Sequence, residues 1–324
     1  MSEQIGRLRS VGIGKETVKG TAVVPAFWVP VSGFESNPKV EVKQKDGAIG
    51  RIDGAYSSEI VSKSSEPSLE GYLTDKAAGL LFLAALGQVT TGSVSAGVYP
   101  HAFSVLNTNE HPSLTVSFKD ANLGKQIPYC LLNELALEAN VGDYLRFNAA
   151  FMGKYEANGT LTPSFYATDN IFISRHVSVK IADDIAGLAA ASALNLQAFQ
   201  LTITKNVTPV FGLGSDEPVS VRNGQLDITG SLTAIQNDET WRALYAANTK
   251  KVMQITIENT GVTIGSGSGH PKIVITINNA DFNPYKDESS LGDLIKETVN
   301  FNGMYDLTNA KSVEVTLYNT QATY

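Results

Sequence analysis

The chain is poor in several things, and each shortage removes a class of protein. It holds one cysteine, Cys130, in 324 residues, so a framework of internal disulfides is excluded and no Cys-based metal spacing exists. Charged residues make up only 18%, well below the usual quarter. Basic residues are outnumbered 25 to 32, a net charge of −7, which argues against a face built to grip phosphate backbones. No apolar run approaches the ~18 residues a membrane helix needs. The longest block is Ala77–Leu86, and the opening MSEQIGRLRSVGIGKE lacks the apolar stretch of a secretory signal. Synthesis in the cytoplasm of the producing cell, with no membrane partner, is the expectation.

What is present is enough apolar material, 43% of residues, for a sizeable core. At ~150 residues per domain the length predicts about two domains. Charge is uneven: residues 1–180 hold 16 basic and 17 acidic side chains, and residues 181–324 hold 9 and 15. The low overall charge fits an assembly that hides much of its surface.

Period-two alternation dominates the chain, as in half-buried strands. Strands are expected at Ser68–Leu73, Ala102–Leu106, Leu114–Phe118, Ile127–Ala139, Asp143–Gly153, His176–Ile181, Phe199–Thr204, Gln225–Thr233, Val252–Glu258, Ile273–Asn278, Leu294–Gly303 and Ser312–Tyr318. The run Leu131–Glu138 is rich in helix formers, yet it alternates and is read as strand. Two helices are expected. One follows a cap at Thr74 or Asp75 and ends at Gly87; the other follows Asn237 or Asp238 and runs to Ala247. Asn37–Ser65 is long, polar and weakly apolar, a segment that is functional or ordered by a partner.

The halves repeat in order. LEGYLT (69–74) parallels ITGSLT (228–233), setting Gly71 on Gly230; each precedes a helix and further strands. SLTVSFKDANLGK (113–125) parallels KIVITINNADFNP (272–284), and FNAAFMG (147–153) parallels ETVNFNG (297–303). The expected fold is mainly β with minor α: two tandem β-sandwich-like domains, 1–180 and 181–324, each with one packed helix and extended hairpin or arm loops.

Nothing in the sequence builds an active site. Gly12-Ile13-Gly14-Lys15-Glu16-Thr17 superficially resembles a phosphate loop, but Arg9 stands where a glycine is needed and no hydroxyl follows the lysine. Gly265–Gly269 reads as a hairpin loop. His101, His111, His176 and His270 lack metal-site spacing, and His111-Pro112 and His270-Pro271 read as turns. Asp183-Asp184 and Asp287-Glu288 read as solvated turns, and the Asp120/Asn122 and Asp281/Asn283 stretches are too short for a calcium loop. Trp28 and Trp241 read as packing residues. The expectation is a protein with no catalytic residues, cofactor or metal.

The order of GIGKETVKGTAVVPAFWVPV, the polar stretch, EPSLEGYLT with its helix, LNELALEANVGDYLRFNAAFMGKY, LQAFQLTITKNV and LDITGSLTA resembles the major tail tube protein of long-tailed bacteriophages. That resemblance covers most of the chain. It implies a structural virion protein that self-assembles into stacked rings, forming a hollow tail tube that conducts DNA. Its implied partners are itself, the tape measure protein, the tail terminator and tip proteins, and DNA passing without tight binding. The doubled domain implies a homotrimeric ring with pseudo-sixfold symmetry, with a hexamer as the alternative. Strand alternation then gives lumen candidates: Glu70, Arg146, Asn148, Asp227, Thr229, Ser231, Lys296, Thr298 and Asn300, with an ordinary solvent face as the competing reading. The polar stretch, about 37–65, becomes an arm that orders against an adjacent ring, with Lys43, Lys45, Asp46, Arg51 and Asp53 as contact candidates and the N-terminal residues sharing the task. A head decoration or tail-completion protein, a carbohydrate-binding adhesin and a β-rich hydrolase are the other classes weighed.

Overall fold

The structure, a computed structural model, describes residues 5–324; the first four residues of the N-terminal segment assigned to the arm lie outside them. The first part of the chain forms β1 (Ser10–Lys15), β2 (Phe27–Val29), β3 (Val31–Glu35), β4 (Pro38–Lys45), β5 (Ser57–Ser65) and β6 (Ser68–Tyr72). Helix α1 (Ala77–Leu86) leads into β7 (Gly87–Thr91), β8 (Tyr99–Val105), β9 (Leu114–Lys119), β10 (Gly124–Asn140), β11 (Arg146–Met152) and β12 (Ala157–Asn158). Then come β13 (Val177–Ala182), β14 (Leu196–Thr204), β15 (Thr208–Val210), β16 (Ser220–Arg222) and β17 (Asp227–Ile235). Helix α2 (Thr240–Ala246) precedes β18 (Lys250–Glu258), β19 (Lys272–Glu288), β20 (Lys296–Gly303) and β21 (Val313–Asn319).

Two strands of 17 residues, β10 and β19, organise everything else. Their latter halves belong to one long antiparallel sheet in the order β3-β6-β11-β10-β14-β17-β20-β19. Their first halves leave that sheet. That of β10 carries β9, β1 and β2, and that of β19 lies between β18 and β21. Irregular register at Leu132/Glu134 in β10 and at Phe282/Tyr285 in β19 marks bulges, which bend a strand and re-aim its side chains. Partners on both sides outweigh the helix propensity of Leu131–Glu138, so the strand expectation holds there.

Pairings also cross residue 180. Strand β13 pairs with β18, and β8 pairs with β21, so the hydrophobic core draws on both halves in one cluster.

Both helices follow from their sequences. AAGLLFLAAL has no polar face, and every residue of α1 is buried, as an all-round apolar helix requires. Gly87 ends it at φ 90°, a conformation glycine adopts without cost. Thr74 Oγ1 accepts from Ala77 N at 3.4 Å, while Asp75 is used elsewhere, accepting from Asn170 N and Nδ2. At α2, Asp238 Oδ1 accepts from Thr240 N at 2.8 Å. Trp241 is buried against Phe282, the ring centroids 5.5 Å apart.

The phosphate-loop lookalike is strand β1 and its end. A Cβ on Gly12 would meet Pro25 at 2.6 Å and one on Gly14 would meet Val23 at 2.8 Å, so these glycines serve close packing. Glu16, just beyond β1, is buried and accepts from Gly20 N, Ser113 Oγ, Thr115 Oγ1 and Tyr129 N. Glu16→Gln puts an amide N–H against these donors and weakens the bonds that remain. We expect a loss of about 2 kcal/mol, read as a lower urea midpoint with an unchanged m-value.

The segment 37–65 is a two-stranded ribbon, β4 against β5, with β4 exposed along its whole length. It leaves the long sheet where β3 and β6 end, at Glu35 and Ser68. A second, shorter hairpin, β15–β16, braces its base: Lys63 N donates to Asp216 O at 2.6 Å, and Lys63 Nζ lies 2.6 Å from Asp216 Oδ2.

Candidate functional site

One face of the long sheet covers the core, and the other is polar across seven strands. Register sets Tyr72, Arg146, Glu138, Gln200, Ser231 and Asn300 in one transverse row. Beside it runs Glu70, Asn148, Ala136, Thr202, Thr229, Asn302 and Asp281. A third row holds Ser68, Ala150, Glu134, Thr204 and Asp227. Thr233 and Thr298 hydroxyls meet at 3.2 Å in a fourth. Between these positions the opposite parity, for example Leu69, Phe147, Leu137, Leu201, Leu232 and Phe301, is buried.

The sequence candidates therefore share a face. Glu70, Arg146, Asn148, Asp227, Thr229, Ser231, Thr298 and Asn300 stand on it together, with exposed Lys296 at its margin, 3.8 Å from Asp293. Sequence reasoning missed Glu134, Glu138, Gln200, Thr202 and Asp281. The alternation of LNELALEA already carried the first two. The three central rows hold five carboxylates (Glu70, Glu134, Glu138, Asp227, Asp281) and one guanidinium, Arg146, which pairs with Asp143 at 3.0 Å. Asp281 pairs with Lys250 at 3.0 Å, and Asp227 accepts from Asn206 and Gln225.

Two glycines shape this sheet. Gly71 faces Phe147 and Gly230 faces Phe301 across the ladder. A Cβ would stand 2.9 Å from the first ring and 2.3 Å from the second, so each phenylalanine packs over a glycine. This corrects one part of the repeat. The parallel of FNAAFMG with ETVNFNG, each ending in Phe-x-Gly, sets Phe147 on Glu297, but the ladder matches Phe147 to Phe301 and Arg146 to Asn300. The two Gly–Phe pairs are the shared feature.

The arm candidates stay apart from this face. Lys43 and Lys45 lie on β4, with Lys43 opposite Glu59 and the Lys45 ammonium 5.6 Å from the Tyr56 ring centroid. Asp46, Arg51 and Asp53 are on the exposed tip, where Arg51 and Asp53 pair at 3.1 Å.

Buried titratable groups lie elsewhere. Lys205 is 2% exposed; its ammonium donates to Ala84 O at 2.7 Å, at the end of α1, and to His111 Nδ1 at 3.2 Å. His111 then donates from Nε2 to Leu106 O at 2.8 Å. Burial lowers Lys205 to about 7, and burial together with the Lys205 charge lowers His111 to about 4. Burial and the neighbouring Asp75 carboxyl raise Asp169 to about 7, and burial pushes the Cys130 thiol up.

The Lys205 shift has a signed consequence. Between about 7 and the ordinary 10.5 the unfolded chain holds the extra proton, so stability rises with pH across that window and the gain is lost as pH falls to 7. From pH 7.5 to 8.5 we expect a rise of about 1 kcal/mol, absent in Lys205→Met, as measured by urea titration at each pH.

Among the described residues no group of three or more His, Cys, Asp or Glu side chains is placed to hold a metal ion. No helix among the described residues is long and apolar enough to cross a membrane. The other histidines are held by single contacts or bridges: His270 Nδ1 meets Val262 O at 2.7 Å, His176 Nδ1 accepts from Ile173 N, and His101 bridges Thr91 and the distant Gln321.

No curated protein matches the chain. The family described as phage tail tube protein matches residues 6–303, a span that takes in the whole polar face, both helices and the arm. The chain belongs to the phage tail tube protein family, and is a structural protein of the virion tail that assembles with its own copies into the tube.

Proposed function

We propose that three chains close each ring with pseudo-sixfold symmetry, and that the polar face of the long sheet lines the lumen. The observation that carries this reading is the β10–β14 junction in the middle of the sheet. It joins two four-stranded units, β3-β6-β11-β10 and β14-β17-β20-β19. Strand β14 stands to β17 as β3 stands to β6: Leu201 faces Gly230 and Val31 faces Gly71. Strand β19 stands to β20 as β10 stands to β11.

The two ends of the sheet are open. Among the described residues β3 pairs only with β6, and residues 282–288 of β19 pair only with β20. Open edges invite pairing, and a head-to-tail contact closes into a ring when the rotation allows. Repeating the internal junction between copies sets β19 of one chain beside β3 of the next. On this reading residues 1–180 and 181–324 are two tube modules, and β8 and β13 join the sheet of the second one.

A wall with five carboxylates to one guanidinium in its central rows offers transiting DNA no cationic track. The arm, with Lys43, Lys45, Asp46, Arg51 and Asp53, orders against the adjacent ring. The tape measure protein occupies the lumen before DNA, and terminator and tip proteins cap the stack. The chain works by shape and assembly and performs no reaction; nothing in the comparisons favours a head decoration protein, an adhesin or a hydrolase. Native mass measurement of single rings, with top views by electron microscopy, tests the symmetry. Three chains showing six sectors are expected, and six chains per layer overturn the trimer.

A further inference from the structure

At the arm-bearing end of the long sheet a cleft of about 440 Å³ opens between the loop after β8 and the segments flanking β15–β16. Lys205 and His111 line it, and Asn223 stands on its wall. Lys205 has acceptors for two of its three ammonium protons, Ala84 O and His111 Nδ1. The amide N and O of Asn223 are both buried with no hydrogen-bond partner among the described residues. Buried polar groups are rarely left unpaired, and a cation and a free amide on one cleft fit one kind of guest. A carboxylate accepts from both Lys205 and Asn223 Nδ2, while a backbone N–H beside it reaches Asn223 Oδ1.

We infer that this cleft docks a second copy of the chain, seating the Asp293 carboxylate from the β19–β20 turn of a subunit in the next ring. The inference rests on the stacked-ring reading. The register supplies the geometry: the cleft lies beyond Thr204 and Asp227, and the β19–β20 turn lies beyond Lys296 at the opposite end of the sheet. Head-to-tail stacking brings those ends together. Three other carboxylates at that end are engaged: Asp143 by Arg146, Asp287 by Arg242 and Glu288 by Lys286; Glu239 lies before α2 rather than on the projecting turn. Among the described residues Asp293 Oδ2 has only the 3.8 Å contact to Lys296, and the turn projects through a fully exposed Leu291.

The test uses the full chain carrying both Asn223→Cys and Asp293→Cys, assembled and treated with a short bifunctional thiol reagent. Cys130 is buried and stays out of the reaction. Within one chain the two sites are separated by the length of nine-residue β17, about 26 Å at ~3.3 Å per residue, so only links between copies form. We expect a denaturing-gel ladder running beyond three chain masses, absent in either single variant. In a chain without the cysteines, Asp293→Asn is expected to raise the concentration needed for polymerisation about tenfold while ring closure is unchanged. Hollow tubes that give no ladder overturn the cleft assignment and leave the rings standing. A chain that forms neither rings nor tubes overturns both.

Discussion

Gly230→Ala is expected to cost about 3 kcal/mol or more, the upper end of overpacking. A Cβ at this position would lie 2.3 Å from Gln200 O and 2.3 Å from the Phe301 ring. The first atom is backbone, locked between β10 and β17 by pairing on both sides, so neither neighbour yields cheaply. Gly71→Ala is the milder case, with Phe147 and Pro30 O both at 2.9 Å. Adding Phe301→Leu to Gly230→Ala relieves the ring contact but not the carbonyl contact, so only part of the loss returns. Urea titration reads all three variants. A Gly230→Ala protein within about 0.5 kcal/mol of the parent contradicts the packing described here.

Reversing the charge of the polar face is expected to leave tubes intact and block DNA delivery. Glu70, Glu134 and Glu138 are on that face and away from the core, so replacing all three by lysine changes little packing. In a ring of three chains they add nine ammonium groups. Contacts with 6–10 phosphates make affinity fall about 10³–10⁵-fold between 50 and 200 mM salt. DNA release from triggered particles should therefore stall at low salt and recover as salt rises. Tubes of normal appearance that release DNA as the parent does at all salt concentrations would place these residues outside the lumen.

Much of this architecture is legible in the sequence because the strands alternate so regularly. The alternation of Ser68–Leu73 and Gln225–Thr233 places Glu70, Thr229 and Ser231 on one face, and the all-apolar Ala77–Leu86 block announces a buried helix. Period two does not reveal that β10 and β19 each serve two sheets: the alternation slips at the bulges, between Leu132 and Leu135 and between Ile277 and Ala280, but a slip does not say that the two halves of a strand have different partners. The sequence parallel of FNAAFMG with ETVNFNG lies four residues from the match the ladder makes, because a shared Phe-x-Gly ending is a weaker signal than a glycine's need for an opposing ring. Lys205 was invisible as a buried group: in TKNVTP it reads as a surface lysine, and its partners Ala84 and His111 lie about 90 or more residues away in the chain.

Ring closure through β3 and β19 is the central claim, and one crosslink tests it. Repeating the β10–β14 register at the seam sets Phe282 opposite Val31, and so Asp281 opposite the Ser32–Gly33 bulge on the polar-face side. Paired strands bring facing Cα atoms to ~4.5–5.5 Å, within disulfide range. Assembled protein carrying Ser32→Cys and Asp281→Cys, mildly oxidised and denatured, should give a ladder that stops at three times the 34.6 kDa chain. A ladder stopping at six, or tubes that never crosslink at this seam, would contradict the account.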